Sequence, residues 1–167
     1  MAEIVVGLDV SVPAQAALAW AAAQARLTGQ QLRAVHAVFP WGDYLAAGGY
    51  IPLSMPSQAV EDHQRDMVMK LFAAVRPEST WTLDLITDDP GPALVAASRA
   101  ASLLVIGTRE HTGWGRLLHG SVSHYCLSHA HCPVLAVPVE RSPAVADTDE
   151  PPATATGAGQ EPIRVGT

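Results

Sequence analysis

A short apolar run followed by a glycine-rich loop, between Ser102 and Ser123, is the feature that most constrains the fold of this chain. Its strand part is the apolar stretch 103–106, which ends at Gly107. Such a run is typical of a strand buried on both faces, as in a parallel sheet. The loop therefore leaves the carboxyl end of a parallel strand, where open α/β sheets bind ligands. Gly120-Ser121 then begins a helix whose free N–H groups can face an anion, although an ordinary strand-to-helix connection has the same composition.

Predicted strands and helices alternate along the rest of the chain. Apolar, β-branched runs predict strands at 4–8, 32–39, 81–86, 103–106 and 133–139, and helical spacing predicts helices at 13–28, 58–75, 90–101 and 121–129. Alternation of this kind implies parallel strands joined by right-handed crossovers. We therefore predict one α/β domain over residues 1–141, with a Rossmann-like, doubly wound five-stranded parallel sheet and helices on both faces.

Two segments of the sequence look different from this alternation. The connection 41–57 is rich in Gly, Pro and aromatic residues, and loops of that length are usually functional lids or poorly ordered. Beyond Arg141 the composition changes to Ser, Pro, Ala, Thr, Gly and acidic residues. This tail has too few large apolar residues to offset the entropy of ordering it, so we predict that 142–167 are disordered.

Composition excludes several classes of function. The 167 residues are 49% hydrophobic, which is enough for one core of ordinary size. A net charge of -6 and a single lysine, Lys70, leave no basic stripe for a nucleic-acid backbone. Glu3 and Asp9 interrupt the first apolar run, so we expect neither a signal peptide nor a membrane span, and a cytoplasmic location. Cys126 and Cys132 lack CxxC spacing and are expected to be reduced packing residues.

Three features coincide on the predicted sheet: Asp9 at the end of the first strand, a glycine loop after the fourth, and a Gly-Ser helix start. Together with the segments 103–107, 116–118 and 132–137, they resemble the universal stress protein family in its nucleotide-binding branch. The resemblance implies a strand order of 3-2-1-4-5, a homodimer, and ATP, with or without Mg²⁺, in a crevice at the switch point of the sheet.

The resemblance also implies roles for individual residues. In the family, the position of Asp9 meets the adenine, a backbone group near Ala37 contacts the base, and the glycine loop holds the phosphates. The implied binding residues are Asp9, Ala37, Ile106, Gly107, Glu110, Gly120, Ser121 and Val122. Simpler structural roles remain open, because Asp9 can cap the first helix and Ser121 can be a plain helix N-cap.

Glu110 departs from the family's ATP signature, which reads glycine, two residues, glycine, nine residues, then glycine and Ser or Thr. Gly107, Gly120 and Ser121 fit it, and Glu110 replaces the second glycine. A carboxylate about 4 Å from a phosphate charge costs about 4 kcal/mol at an effective dielectric near 20. A Mg²⁺ ion between the two would turn Glu110 into a ligand. We expect weak, metal-dependent ATP binding; a family member that acts only through protein partners is the alternative.

Dedicated catalysis is not expected. The chain lacks a GxxxxGK[ST] motif, and Lys70 lies in a predicted surface helix far from the glycine loop. No base and nucleophile are arranged together, so slow ATP hydrolysis is the most that the sequence allows. We therefore predict a nucleotide-responsive binding protein of the stress response rather than an enzyme.

A zinc site and a dimer interface are two further possibilities that the sequence raises. His and Cys residues cluster between 119 and 132, but His124 and Cys126 lie two positions apart on one helix and point in different directions. We therefore expect no metal site. The stretch from Val134 to Val139 is apolar on both faces yet last in the implied strand order, which predicts a homodimer paired through this strand.

Overall fold

Five strands and four helices alternate in the protein, whose computed structural model describes residues 2–38, 58–109 and 121–139. They are β1 (Glu3–Gly7), α1 (Val12–Thr28), β2 (Gln31–Val38), α2 (Gln58–Ala74), β3 (Thr82–Thr87), α3 (Pro90–Ser98), β4 (Leu103–Arg109), α4 (Ser121–His129) and β5 (Val134–Val139). The predicted connection 41–57, the glycine loop from Glu110 to Gly120 and the tail 142–167 lie outside the described residues.

All five strands are parallel and form one sheet in the order β3-β2-β1-β4-β5. Helices α1 and α2 pack on one face around Ile4, Val6 and Leu32, and α3 and α4 pack on the other around Val5, Val35 and Leu104. The sheet is therefore doubly wound, and both the predicted fold class and the strand order implied by the family resemblance are confirmed.

Helix α1 follows the local signals of its sequence. Ser11 is the N-cap, and its hydroxyl accepts the N–H of Ala14 at 3.4 Å. Gly29 ends the helix with φ of 65°, a left-handed conformation that favours glycine. The positions that face the sheet are mostly alanines, including Ala14, Ala17 and Ala21, all of them buried. Because alanine is small, the helix axis lies close to the strands beneath it.

The two ends of the strands are covered differently. At their amino ends, the Arg26 guanidinium of α1 donates to the carbonyl of Val75 and, at 2.9 Å, to that of Arg76. The same guanidinium lies over the Trp81 ring, 4.8 Å from its centroid. These contacts fix the carboxyl end of α2 beside the start of β3.

At the carboxyl ends of the strands, β1 stops before both of its neighbours. Its pairing with β2 ends at Gly7 and Val35, and its pairing with β4 ends at Val6 and Val105. In contrast, β2 continues to Val38 against β3, and β4 continues to Arg109 against β5. Among the described residues no strand separates β2 from β4 beyond Gly7, so the topology leaves a crevice at the point where the chain changes winding direction.

Candidate functional site

The backbone of Ala37 lines the β2 side of this crevice. Alternate residues of a parallel strand direct their N–H and C=O groups to opposite neighbours. Val35 accepts the N–H of Leu8 at 2.9 Å and so faces β1, whereas Val38 accepts the N–H of Asp88 at 3.0 Å and faces β3. Ala37 therefore faces the space beyond the end of β1. Among the described residues, none hydrogen-bonds its N–H or C=O on that side, which leaves one donor and one acceptor for a ligand.

His36 explains why the hydrogen-bond ladder between β1 and β2 stops before Ala37. Its Nδ1 lies 2.9 Å from the carbonyl oxygen of Leu8, the group that a continuing ladder would offer to the N–H of Ala37. Because a carbonyl only accepts, we assign the proton of the imidazole to Nδ1. The ring is only 5% exposed, and its Nε2 has no hydrogen-bond partner within the part of the chain that the structure describes. His36 was not among the residues implied by the sequence; the one available signal was a polar residue at an inward position of an apolar strand.

Asp9 stands at the mouth of the crevice, two residues after β1 ends. It is exposed, and its Oδ1 accepts the N–H of Ser11 at 2.8 Å, while Ser11 itself is the N-cap of α1. One carboxylate oxygen therefore holds the turn into the helix, and the other accepts no hydrogen bond from the described residues. Asp9 is therefore not the cap of α1, a role that Ser11 fills, and the contact between Asp9 and adenine stays a prediction.

Gly107 lies on the β4 side, where the sequence led us to expect a close approach of phosphate. A Cβ added to Gly107 would lie 2.7 Å from the backbone nitrogen of Ala14 and closer still to the carbonyl group of Pro13. The missing side chain thus makes room for the first turn of α1. The neighbouring Ile106 is 3% exposed and packs in the core, so only its backbone can meet a ligand.

Helix α4 begins at Ser121, as predicted, and its first turn is attached to the end of β4. The Ser123 hydroxyl donates to the Gly107 carbonyl at 3.3 Å, and Val122 packs half-buried against the core. Two predicted site residues, Glu110 and Gly120, lie outside the described residues, as does the side chain of Ser121. The amino end of α4 and the carboxyl end of β4 therefore form one wall of the crevice, opposite Ala37.

Of the two cysteines, Cys126 lies on α4 in the protein interior, and Cys132 is half-buried just after that helix. Cys126 is fully buried, and burial raises the pKa of its thiol to about 11. Burial also raises the pKa of Cys132, partly offset by a hydrogen bond with the Leu104 backbone. Both therefore stay protonated at neutral pH. Within 2–38, 58–109 and 121–139, no three His, Cys, Asp or Glu side chains are grouped so that they could hold a metal ion.

Comparison with known proteins gives a consistent result. The sequence profile of the universal stress protein family matches residues 1–138. A universal stress protein of Mycobacterium tuberculosis is 35% identical over 149 residues, which cover 83% of this chain and 48% of the relative. One from Thermus aquaticus is 32% identical, over 80% of this chain and 96% of the relative. The chain thus spans about half the length of the mycobacterial relatives that it matches.

Solved structures share the same architecture. The universal stress protein of Archaeoglobus fulgidus aligns with a TM-score of 0.63 at 24% identity, over 82% of this chain and 98% of that one. A family protein of Arabidopsis thaliana, solved with AMP bound, aligns with a TM-score of 0.55 at 15% identity, over 88% of this chain and 98% of that one. At these identities the likeness shows the fold alone. The family profile and the curated relatives show more: the chain belongs to the universal stress protein family.

Proposed function

We propose that the crevice beyond the end of β1 binds an adenine nucleotide, with ATP as the physiological ligand. We further propose that the protein is a nucleotide-responsive binding protein of the cytoplasmic stress response rather than an enzyme. The observation that carries this proposal is the free N–H and C=O of Ala37 beside the gap between β2 and β4. A donor next to an acceptor complements the N1 and amino group of adenine.

The remaining parts of the crevice fit the other parts of a nucleotide. The amino end of α4 supplies the first N–H groups of a helix and the positive end of its dipole, which favour phosphate. The Asp9 carboxylate can accept from a base or ribose donor. Solved family proteins with AMP, dAMP or cAMP bound support this choice of ligand class. Among the described helices, none has the length and apolar character that a membrane span requires.

Calorimetric titration of the full chain with ATP, with and without Mg²⁺, tests the proposal directly. We expect weak binding that Mg²⁺ strengthens, because Glu110 and the phosphates repel each other unless a cation lies between them. In Glu110→Gly, binding should be tighter and should depend less on Mg²⁺. GTP is the control, since guanine presents a donor and an acceptor in the opposite order. An absence of heat with ATP and AMP at millimolar concentration would favour the alternative, a family member that acts through protein partners alone.

We also propose a homodimer paired through β5. Pro133 accepts the N–H of Leu104, so odd-numbered residues of this strand face β4 and even-numbered ones face the free edge. The free edge therefore carries the N–H groups of Val134 and Ala136, while Pro138 has none to offer. The strand's apolar side chains are only half-buried in one copy, which favours pairing with a second copy.

Ala136→Pro tests this dimer, because it removes an edge N–H that β4 does not use. We expect the native chain to sediment as a dimer at micromolar concentration and Ala136→Pro to sediment as a monomer. Ala136→Val, which keeps the N–H, should remain dimeric. A native chain that sediments as a monomer, or an Ala136→Pro variant that stays dimeric, would contradict pairing through β5.

A further inference from the structure

Helix α1 is apolar on its outer face as well as on the face that packs against the sheet. The outer face carries one stripe at helical spacing, made of Val12, Ala16, Ala19, Trp20, Ala23 and Leu27. Within this stripe, Trp20 is 38% exposed and Leu27 is 83% exposed. A helix that is apolar all round is normally buried on every side. The stripe therefore needs a cover that the described residues of one copy do not supply.

The largest side chain of the stripe lies on the flank of α1 that faces away from α2. Ala21 is buried against the sheet, and Trp20 and Arg26 lie about 100° and about 140° to either side of it. The Arg26 guanidinium reaches the carbonyls of Val75 and Arg76 at the end of α2. Helix α1 lies over β4 and β5, whereas α2 lies over β2 and β3. The flank with Trp20 therefore faces the free edge of β5.

Helix α4 has the same arrangement on the opposite face of the sheet. Cys126 is buried, and Tyr125 and Leu127 lie about 100° to either side of it. The Tyr125 ring lies against Gly91 of α3, so that flank faces the neighbouring helix. Leu127 is exposed on the other flank, toward β5, over which α4 also packs. Exposed apolar side chains on both faces of the sheet are thus turned toward the same edge.

Pairing of the β5 edge alone is too small to make a stable dimer. The strand has six residues and is about 20 Å long, so its edge covers only a small part of the roughly 800 Å² per copy that a stable interface buries. A buried tryptophan adds about 150–250 Å². A two-fold axis through antiparallel β5 strands places α1 beside α1 of the second copy, and α4 beside α4. The two apolar flanks then meet their own equivalents.

We propose that the homodimer interface extends beyond strand pairing to both helices, with Trp20 as its apolar anchor on one face of the sheet and Leu127 on the other. Each side chain packs against the equivalent helix of the second copy. This inference rests on the homodimer proposed above. The segment after Arg141 is a poorer cover for the stripe, because it is rich in Pro, Ala, Thr, Gly and acidic residues.

Trp20→Lys tests this anchor, and Met69→Lys is the matched control. Met69 lies on α2, away from β5, and is 44% exposed. We expect the dissociation constant of the dimer, measured by sedimentation over a concentration series, to rise at least about thirtyfold in Trp20→Lys. It should keep its native value in Met69→Lys and rise at least about fivefold in Leu127→Lys. Lysine makes the net charge of -6 less negative, so overall repulsion cannot explain a loss of pairing.

The outcomes separate this inference from the proposed strand pairing. A native chain that sediments as a monomer would overturn both. A native dimer that Ala136→Pro separates, but that Trp20→Lys leaves at its native dissociation constant, would overturn the helix contacts and leave pairing through β5 intact. Equal weakening by Trp20→Lys and Met69→Lys would also count against Trp20 as an anchor.

Hydroxyl-radical oxidation of the native chain tests the same contact without a substitution. Trp20 should be oxidised severalfold more slowly at concentrations where the dimer forms than after dilution to the monomer, while the oxidation rate of Met69 stays constant. A chain truncated after Arg141 should show the same dependence on concentration. Protection of Trp20 at every concentration would mean that a segment of the same chain covers the stripe. That result, or equal oxidation of Trp20 in dimer and monomer, would refute the proposal.

Discussion

Replacing Gly107 with alanine is expected to destabilise the protein severely, although the change adds only one methyl group. The added Cβ would meet the carbonyl group of Pro13 and would lie 2.7 Å from the nitrogen of Ala14. Both are backbone atoms in the first turn of α1, so no side-chain rotation can relieve the overlap. Either α1 must move away from β4 or the strand must leave the sheet, and each movement separates buried core residues such as Leu18 and Val105.

The free energy of unfolding of Gly107→Ala should decrease by an amount at or above the upper end of the usual range for overpacking, about 1–3 kcal/mol. For a domain of this size, that corresponds to a decrease in melting temperature of roughly 5–10 °C. Gly91→Ala is the matched control. Its new Cβ would lie 3.0 Å from the partly exposed Tyr125 ring, which can rotate away, and we expect its melting temperature to stay within about 2 °C of the native value. A Gly107→Ala variant that melts within 2 °C of the native chain would refute the packing argument.

The parts of the fold that could be predicted from sequence are those that local chemistry specifies. Ser11 and Gly29 mark the ends of α1 because a hydroxyl cap and a left-handed glycine act within one turn. The apolar run 103–106 marks β4, but the strand extends to Arg109. That extension could not be predicted from Thr108 and Arg109, because it arises from pairing with β5, which lies far along the sequence.

The candidate site was predictable in position and less so in detail. The end of β1 and the start of α4 could both be placed at the carboxyl ends of the strands, since parallel strands all end on the same side of the sheet. The N–H and C=O of Ala37 are left unpaired because β1 stops before β2 and because His36 hydrogen-bonds to the Leu8 carbonyl. Both features depend on contacts between residues far apart in the sequence.

Ala37→Pro should abolish most nucleotide binding while leaving the fold largely intact. Proline removes the N–H of Ala37, which faces the crevice and bonds to neither neighbouring strand, whereas the bonds from Val38 to β3 remain. The residue before a proline must be extended, and His36 already lies in a strand. The variant should therefore fold, and its melting temperature should fall by only a few degrees.

The affinity of Ala37→Pro for AMP should decrease at least tenfold. The N1 atom of adenine would be buried without a hydrogen-bond donor, which costs about 1–3 kcal/mol. Ala37→Val is the matched control, since it keeps both backbone groups and changes only a side chain on the opposite face of the sheet from α1. Calorimetric titration of the native chain and both variants measures the difference. If folded Ala37→Pro binds AMP as tightly as Ala37→Val does, the base is not read by this backbone, and the crevice between β2 and β4 cannot be the adenine site in the form proposed.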